Sequence, residues 1–478
     1  MSTRAELLAR PLAARLGLNN GRLAFATFAF FVAFGANGLK NAFGWWVWGA
    51  LVLAVFGGCL AWLIRDGEIR RLHRLPAPLL AFAALATASI AWSQWRPSTL
   101  LAVLVLGLTA LCGVALARML DWHGLVVALG AALRGVLALS FLFELWVSLV
   151  VRHPVLPVWI SGDPETAPLQ YLWSRDLLLV TGKIQGIVGN SAILAHIALL
   201  SLVTTGVQFA IGRIGRVAAP FWLLLALGTI VLTRSATVTI ALVVATAATV
   251  ALLVRRRLES FRARLGFWAG IVAAAVIAAV VAVWQWSGIL GILGKSGDLT
   301  GRTEIWAHTV ALAVQRPWFG WGWLGYWPPW VTQLQINYRN GVQQLHAHDA
   351  WVDLFMQLGV VGIAVFAVLV LQTLHRAYRF TVDPVVGPGV GPGAGAGTGP
   401  GAGPDATTGS TGTGRDATAG PAAETDATGR RFADVAFLPM LLLVVALVDT
   451  VTESGILHQE GLLLFTVLVV ALSVRPRR

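Results

Sequence analysis

Two histidines and two aspartates crowd into eight residues, His346-Ala347-His348-Asp349 and then Asp353. Histidine is the side chain best suited to exchange protons near neutral pH, so a general base is the first chemistry suggested here. A metal is the second. Zinc, however, takes three or four protein ligands, and no companion cluster stands out in the sequence, so no metal is expected. Asp349 equally has the position of a helix N-cap.

Three cations stand apart from the other basic residues. Arg302, in Gly301-Arg302-Thr303-Glu304-Ile305-Trp306, opens a helix expected over 302–314, with Thr300 or Asp298 as its cap and Pro317 beyond its end. A first-turn Arg lies where free N–H groups and the helix dipole favour an anion such as phosphate. The plainer reading is an interfacial Arg against lipid headgroups. Arg234, in Leu232-Thr233-Arg234-Ser235-Ala236, interrupts a nearly continuous apolar stretch. Charge at that depth is a functional hypothesis by default, and snorkelling to headgroups is its alternative. Lys183, just before Gln185-Gly186-Ile187-Val188-Gly189-Asn190, is a similar but weaker case. The aromatic cluster Trp318, Phe319, Trp321, Trp323, Tyr326, Trp327 and Trp330 reads first as an interfacial anchor and second as a sugar-stacking surface. Arg134 and Glu144 are each expected to find a partner on a neighbouring helix, and His196 reads as a packing residue.

The elements that must position these groups are membrane helices. Of 478 residues, 57% are hydrophobic and 12% charged, with a mean hydropathy of +0.75. Soluble domains carry about 25% charged residues, which excludes an ordinary water-soluble globule. Twelve apolar runs are long enough to be spans: about 23–39, 42–64, 76–93, 98–118, 124–151, 187–211, 217–233, 236–254, 266–286, 350–372, 432–450 and 460–474. Backbone groups in lipid must be satisfied internally, so such runs are helices. The first follows Arg4, Arg10, Arg15 and Arg22 without a convincing cleavage site, and reads as an uncleaved helix.

Basic residues follow the second span (Arg65, Arg70, Arg71, Arg74), the sixth (Arg213, Arg216) and the eighth (Arg255, Arg256, Arg257, Arg262, Arg264), and end the chain (Arg475, Arg477, Arg478). All fall on one side if both termini are cytoplasmic, the positive-inside pattern. The net charge of +13 is then an orientation signal, and no nucleic-acid partner is expected. Two loops, about 152–186 and 287–349, lie outside. Residues 1–380 form a membrane domain; 381–431, rich in Gly, Pro and Thr, is expected to be a disordered cytoplasmic linker; 432–478 holds the last two spans. Cys59 and Cys112 both fall in apolar runs and outline no disulfide framework or metal motif.

Taken in order, GRTEIW, QRPWFGWGWLGYW and HAHDAWVDLFMQLGVVG resemble the signature half of the O-antigen ligase / O-antigen polymerase superfamily of bacterial membrane glycosyltransferases. In that family an Arg opens the large external loop, and a His separated by ten residues from a Gly closes it. His348 and Gly359 have that spacing. Ala91-Trp92-Ser93, GKIQGIVGNSA at 182–192 and LTRSA at 232–236 also resemble the family, so the likeness covers roughly residues 85–375.

The resemblance implies an all-α, polytopic membrane protein of about twelve helices, similar to C-type integral-membrane glycosyltransferases. It implies transfer of a glycan from a polyprenyl diphosphate lipid to a glycan or lipid acceptor at the outer face, without cofactor, nucleotide sugar or metal. His348 would be the general base. His346 is the second choice, because Asp349 stands where relatives usually have Asn. Arg302 and Arg234 would hold the diphosphate with Lys183 as a third cation, and Asp349, Glu304 and Gly359 would support them. The alternative is a polytopic transporter or flippase of a lipid-linked glycan. Transporters keep binding groups near the bilayer midplane, whereas this polar cluster falls in a loop and at outer helix ends.

Overall fold

The computed structural model describes residues 20–180, 183–285, 302–335, 338–339, 342–382 and 435–474. Thirteen α-helices of ten or more residues lie among them. They are α1 Asn20–Phe34, α2 Ala36–Arg65, α3 Ala77–Ala88, α4 Arg96–Met119, α5 Trp122–Trp146, α6 Ser191–Ala210, α7 Ala218–Thr233, α8 Ala236–Arg257, α9 Phe261–Trp284, α10 Arg302–Ala313, α11 Ala350–Val382, α12 Phe437–Asp449 and α13 Gln459–Val474. All but α10 coincide with the apolar runs, and the chain is an all-α polytopic membrane protein. Six helices are long and apolar enough to cross a bilayer, or seven if the bent pair Glu68–Arg74 and Ala77–Ala91 counts as one span; α1, α7, α12 and α13 are shorter.

Glycine sets two of the breaks. Helical bonding carries from α1 through Gly35 into α2, since Gly35 N–H donates to Phe31 O and Leu39 N–H to Gly35 O. The change of direction comes at Gly44 (φ 79°), close to the boundary expected between the first two spans. α11 breaks in the same way at Gly359 (φ 66°), so a short stretch, 350–358, precedes the long arm of that helix.

α5 packs on α6 and α6 on α7, while α13 packs on α4, α12 on α8, α11 on α3, and α10 rests on α11. Polar contacts mark one end of this bundle. Arg22 pairs with Asp66 at 3.0 Å, Arg118 with Glu68 at 2.9 Å, and Arg255 and Arg256 meet Tyr378 and Thr381 at the far end of α11. The chemistry-bearing residues gather at the other ends of the same helices.

Arg134 on α5 donates to Gln208 on α6 at 2.8 Å, as expected. Glu144 departs from expectation: its partners lie in the following loop, where it accepts from Ser174 Oγ and from the Gln185 and Gly186 N–H groups. A carboxylate at a helix end is within reach of free loop amides, which a neighbouring helix lacks. Arg4, Arg10 and Arg15, Asp298 and Thr300, the stretch 383–434 and the C-terminal arginines lie outside the described residues.

Candidate active site

The site is built by clamping loops to helix ends. After α10 the chain turns back along α11, where Trp321 and Gly322 N–H donate to Met356 and Gln357 carbonyls, and Val360 and Val361 N–H to Pro317 and Trp318 carbonyls. This contact depends on Gly320 (φ 64°) and Gly359 (φ 66°). A Cβ on Gly359 would stand 2.4 Å from the Trp318 carbonyl group, and one on Gly320 2.5 Å from that of Gln357. Gly359 is therefore a packing residue. The Gln357 side chain ties the loop again, accepting from Leu324 and Gly325 N–H at 2.8 and 3.0 Å. Ser89 and Trp92 brace it from the end of α3, Ser89 Oγ accepting from Trp323 N–H at 2.9 Å and Trp92 donating to Phe319 O at 3.1 Å. Trp323 and Trp327 are buried by this packing, while Trp318 and Trp330 remain exposed.

The His346–Ala347–His348 strap is held from three sides. Trp306 of α10 donates to Ala347 O at 2.9 Å, and Ala347 N–H donates to Asp353 at 3.0 Å. Asp353 also accepts from Ser454, in the segment joining α12 to α13. Ala350 N–H reaches Thr450 O at 2.9 Å, fixing that segment against the start of α11. Asp349 is the N-cap: its Oδ1 accepts from Trp351 and Val352 N–H, both at 2.9 Å. Burial raises its carboxyl above the usual range, against these two hydrogen bonds.

The acid that touches the proposed base is therefore a different residue. Glu453 Oε2 lies 2.9 Å from His348 Nδ1, and Glu453 Oε1 lies 2.9 Å from the Arg302 guanidinium. A carboxylate only accepts, so Nδ1 of His348 carries its hydrogen; the remaining nitrogen, Nε2, lies 2.9 Å from Gln344 Oε1, and a free lone pair there requires the Gln344 amide turned so that its NH2 group donates to the ring. Burial pushes Glu453 up, but the His348 hydrogen bond and nearby cations outweigh it and hold the carboxyl down at about 2. His346 accepts at Nδ1 from the His348 backbone N–H at 3.1 Å, which leaves its hydrogen on Nε2. Burial first, and the neighbouring His348 second, push His346 well below the usual histidine range. It is a neutral donor.

One cavity of about 630 Å³ joins these groups to the other cations: Lys183, Arg234, Arg302, His346, His348 and Glu453 all line it, with His196, Asp449, His458 and Glu460. Arg234 gets there as a one-residue reversal (φ 51°) between α7 and α8, with Ser235 capping α8. Lys183 enters on the loop that Glu144 staples down, just before Asn190 caps α6 through Ala192 and Ile193 N–H. His196, expected to be a packing residue, lies in the cavity with Asp449 at 3.7 Å. Glu304 is exposed and does not line the cavity, which leaves it no direct part. Much of the remaining wall is apolar, including Phe34, Ile197, Leu200, Val238 and Leu464.

His346, His348 and Glu453 offer donor atoms within 4.8 Å of one another, so the companion absent from the local sequence is Glu453. Its two oxygens are already engaged by Arg302 and His348, and a guanidinium at 2.9 Å opposes a dication electrostatically. His348 and Glu453 read as a hydrogen-bonded pair, with His346 beside them on the His348 backbone N–H, rather than as a ligand set.

Residues 221–367 match the family model described as O-antigen ligase. This part of the chain is similar to the O-antigen ligase family. The family segment includes Arg234, Arg302, His346, His348 and Gly359, and excludes Lys183 and Glu453. A stretch of 82 residues is 29% identical to the exopolysaccharide production protein ExoQ of Rhizobium meliloti (strain 1021); it covers 16% of this chain and 18% of that protein.

Proposed function

We propose that the protein is a glycosyltransferase that moves a glycan from a polyprenyl diphosphate lipid to an acceptor hydroxyl at the outer face of the cell membrane. In this reading it is a ligase or polymerase of a surface polysaccharide, with both termini cytoplasmic. The observation that carries the proposal is the meeting of Arg302, Arg234 and Lys183 with the His348–Glu453 pair in one cavity whose other walls are largely apolar. A diphosphate would lie against the three cations, and its isoprenoid chain would suit the apolar wall. ExoQ, by its description a protein of exopolysaccharide production, supports the same class of product.

The chemistry needs little else. A diphosphate leaves readily when fixed cations meet its developing charge. The acceptor oxygen attacks the anomeric carbon while His348 Nε2 takes its proton. His346 cannot do this through Nε2, which carries the hydrogen, so the second choice becomes a donor. A single displacement inverts the anomeric configuration. Metal and cofactor have no assigned part in these steps.

The test is reconstitution of the full chain with a polyprenyl diphosphate glycan and an acceptor. His348→Ala should lower turnover by about 10²–10⁴-fold, and normal turnover in that variant would overturn the mechanism. Movement of a labelled lipid-linked glycan across the bilayer without acceptor would support a flippase instead. Cells lacking the protein separate the two enzyme forms: loss of long glycans marks a polymerase, and unattached long glycans mark a ligase.

A further inference from the structure

Glu453 is the carboxylate that touches both working groups of the proposed reaction, and it lies 105 residues beyond His348 and outside the family segment. Its reach is built into the fold. The α12–α13 segment is held to α11 by Thr450 and Ser454, and Glu453 N–H is fixed by Asp449 O at 2.8 Å. Three other nearby acids are spent elsewhere: Asp349 on the α11 N-terminus, Asp353 on Ala347 and Ser454, and Asp449 beside His196.

We propose that Glu453 is a positioning residue shared between Arg302 and His348, and that binding of the donor diphosphate to Arg302 transfers its charge to His348. This rests on the reading above, in which Arg302 meets the diphosphate and His348 takes the acceptor proton. In the structure one carboxylate serves two partners, each at 2.9 Å. Arg302 Nε is buried and has no hydrogen-bond partner among the described residues, so this guanidinium has donor capacity left for a ligand. Its planar fork suits phosphate oxygens in pairs, which compete directly with Glu453 for the same N–H groups. Arg234 and Lys183 line the same cavity and draw the diphosphate in.

Once Arg302 turns to the diphosphate, Glu453 is left with His348 alone. Its charge then stabilises the imidazolium that forms when the acceptor O–H proton passes to Nε2. The acceptor oxygen bonds to the anomeric carbon, the carbon–oxygen bond to the diphosphate breaks, and its electron pair leaves on the diphosphate. The Nδ1 hydrogen stays on the ring and Glu453 stays ionised. The base is thus prepared only in a loaded site.

Glu453→Gln keeps an oxygen for Nδ1 and removes the charge. In purified full-length protein in nanodiscs, the variant should bind polyprenyl diphosphate alone about threefold tighter or more, because Arg302 is no longer shared. Its kcat in glycan transfer should fall by about tenfold or more. Glu453→Asp keeps the charge and should restore the weaker binding of the natural protein. A carboxylate with only a structural role would instead weaken binding and lower the melting temperature together. Weaker or unchanged binding in Glu453→Gln, or an unchanged kcat, overturns the proposal. The binding comparison needs no turnover, so it decides the sharing of Arg302 even where His348→Ala retains activity and the wider reading fails.

Discussion

His348 sits in the left-handed region (φ 54°), a conformation that costs a side-chain-bearing residue of order 1 kcal/mol or more. The strap contacts through Trp306, Asp353 and Ser454 hold it there, and they aim one ring nitrogen at Glu453. The sequence made His348, Arg302 and Arg234 legible because charge and histidine are conspicuous in apolar surroundings. It offered Asp349 both as an acid beside the base and as a helix N-cap, and the second holds: successive residues around a left-handed turn face different ways, and Asp349 caps α11 while Glu453 meets the base. Asn ranks with Asp as an N-cap. Asp349→Asn should therefore leave glycan transfer within about twofold, whereas Asp349→Ala should lower stability by about 1 kcal/mol, read as a fall in melting temperature. Acid should also act on this region. Burial lowers His458 to about 4 and pushes His346 down too. Below pH 6.5 the unfolded chain takes up protons that the folded chain refuses. Stability should thus fall as pH drops from 6.5 towards 4, by at most about 1.4 kcal/mol per pH unit for each histidine. Thermal melting across that range, flattened in His458→Gln, checks the sign.

At the scale of elements, hydropathy located the helices well because lipid leaves the backbone no other solution. It could not show what Gly359 is for. The spacing between His348 and Gly359 reflects one short helical stretch ending at a backbone crossing, where Gly320 and Gly359 let two chains touch. Gly359→Ala meets both a positive φ and a carbonyl group at 2.4 Å, so it should destabilise by at least about 2 kcal/mol. The expected result is a lower melting temperature and reduced yield from membranes, with His348 chemically intact. The anchoring of the loop expected at about 152–186 was likewise hidden. Glu144 anchors it, and nothing in its local sequence links it to residues some 40 positions away.

For the whole molecule, the basic residues foretold which helix ends share a side, and the ion pairs of Arg22, Arg118 and their partners agree with that arrangement. A labelling experiment can test the proposed orientation directly. Cys59 and Cys112 are buried, so background labelling should be low. Glu304→Cys should react with an impermeant maleimide from outside intact cells, and Arg71→Cys only after permeabilisation. The reverse pattern would invert the topology. What no local window could reveal was the origin of Glu453 and His458: they join the cavity from the far side of the Gly- and Pro-rich stretch. A growing chain meets the consequence first. With α1 to α11 made it holds the matched segment, yet it lacks a wall of its pocket and the partner of its histidine. On the proposed function, the final hairpin would complete the site, and a copy lacking it would neither seat the substrate properly nor act on it.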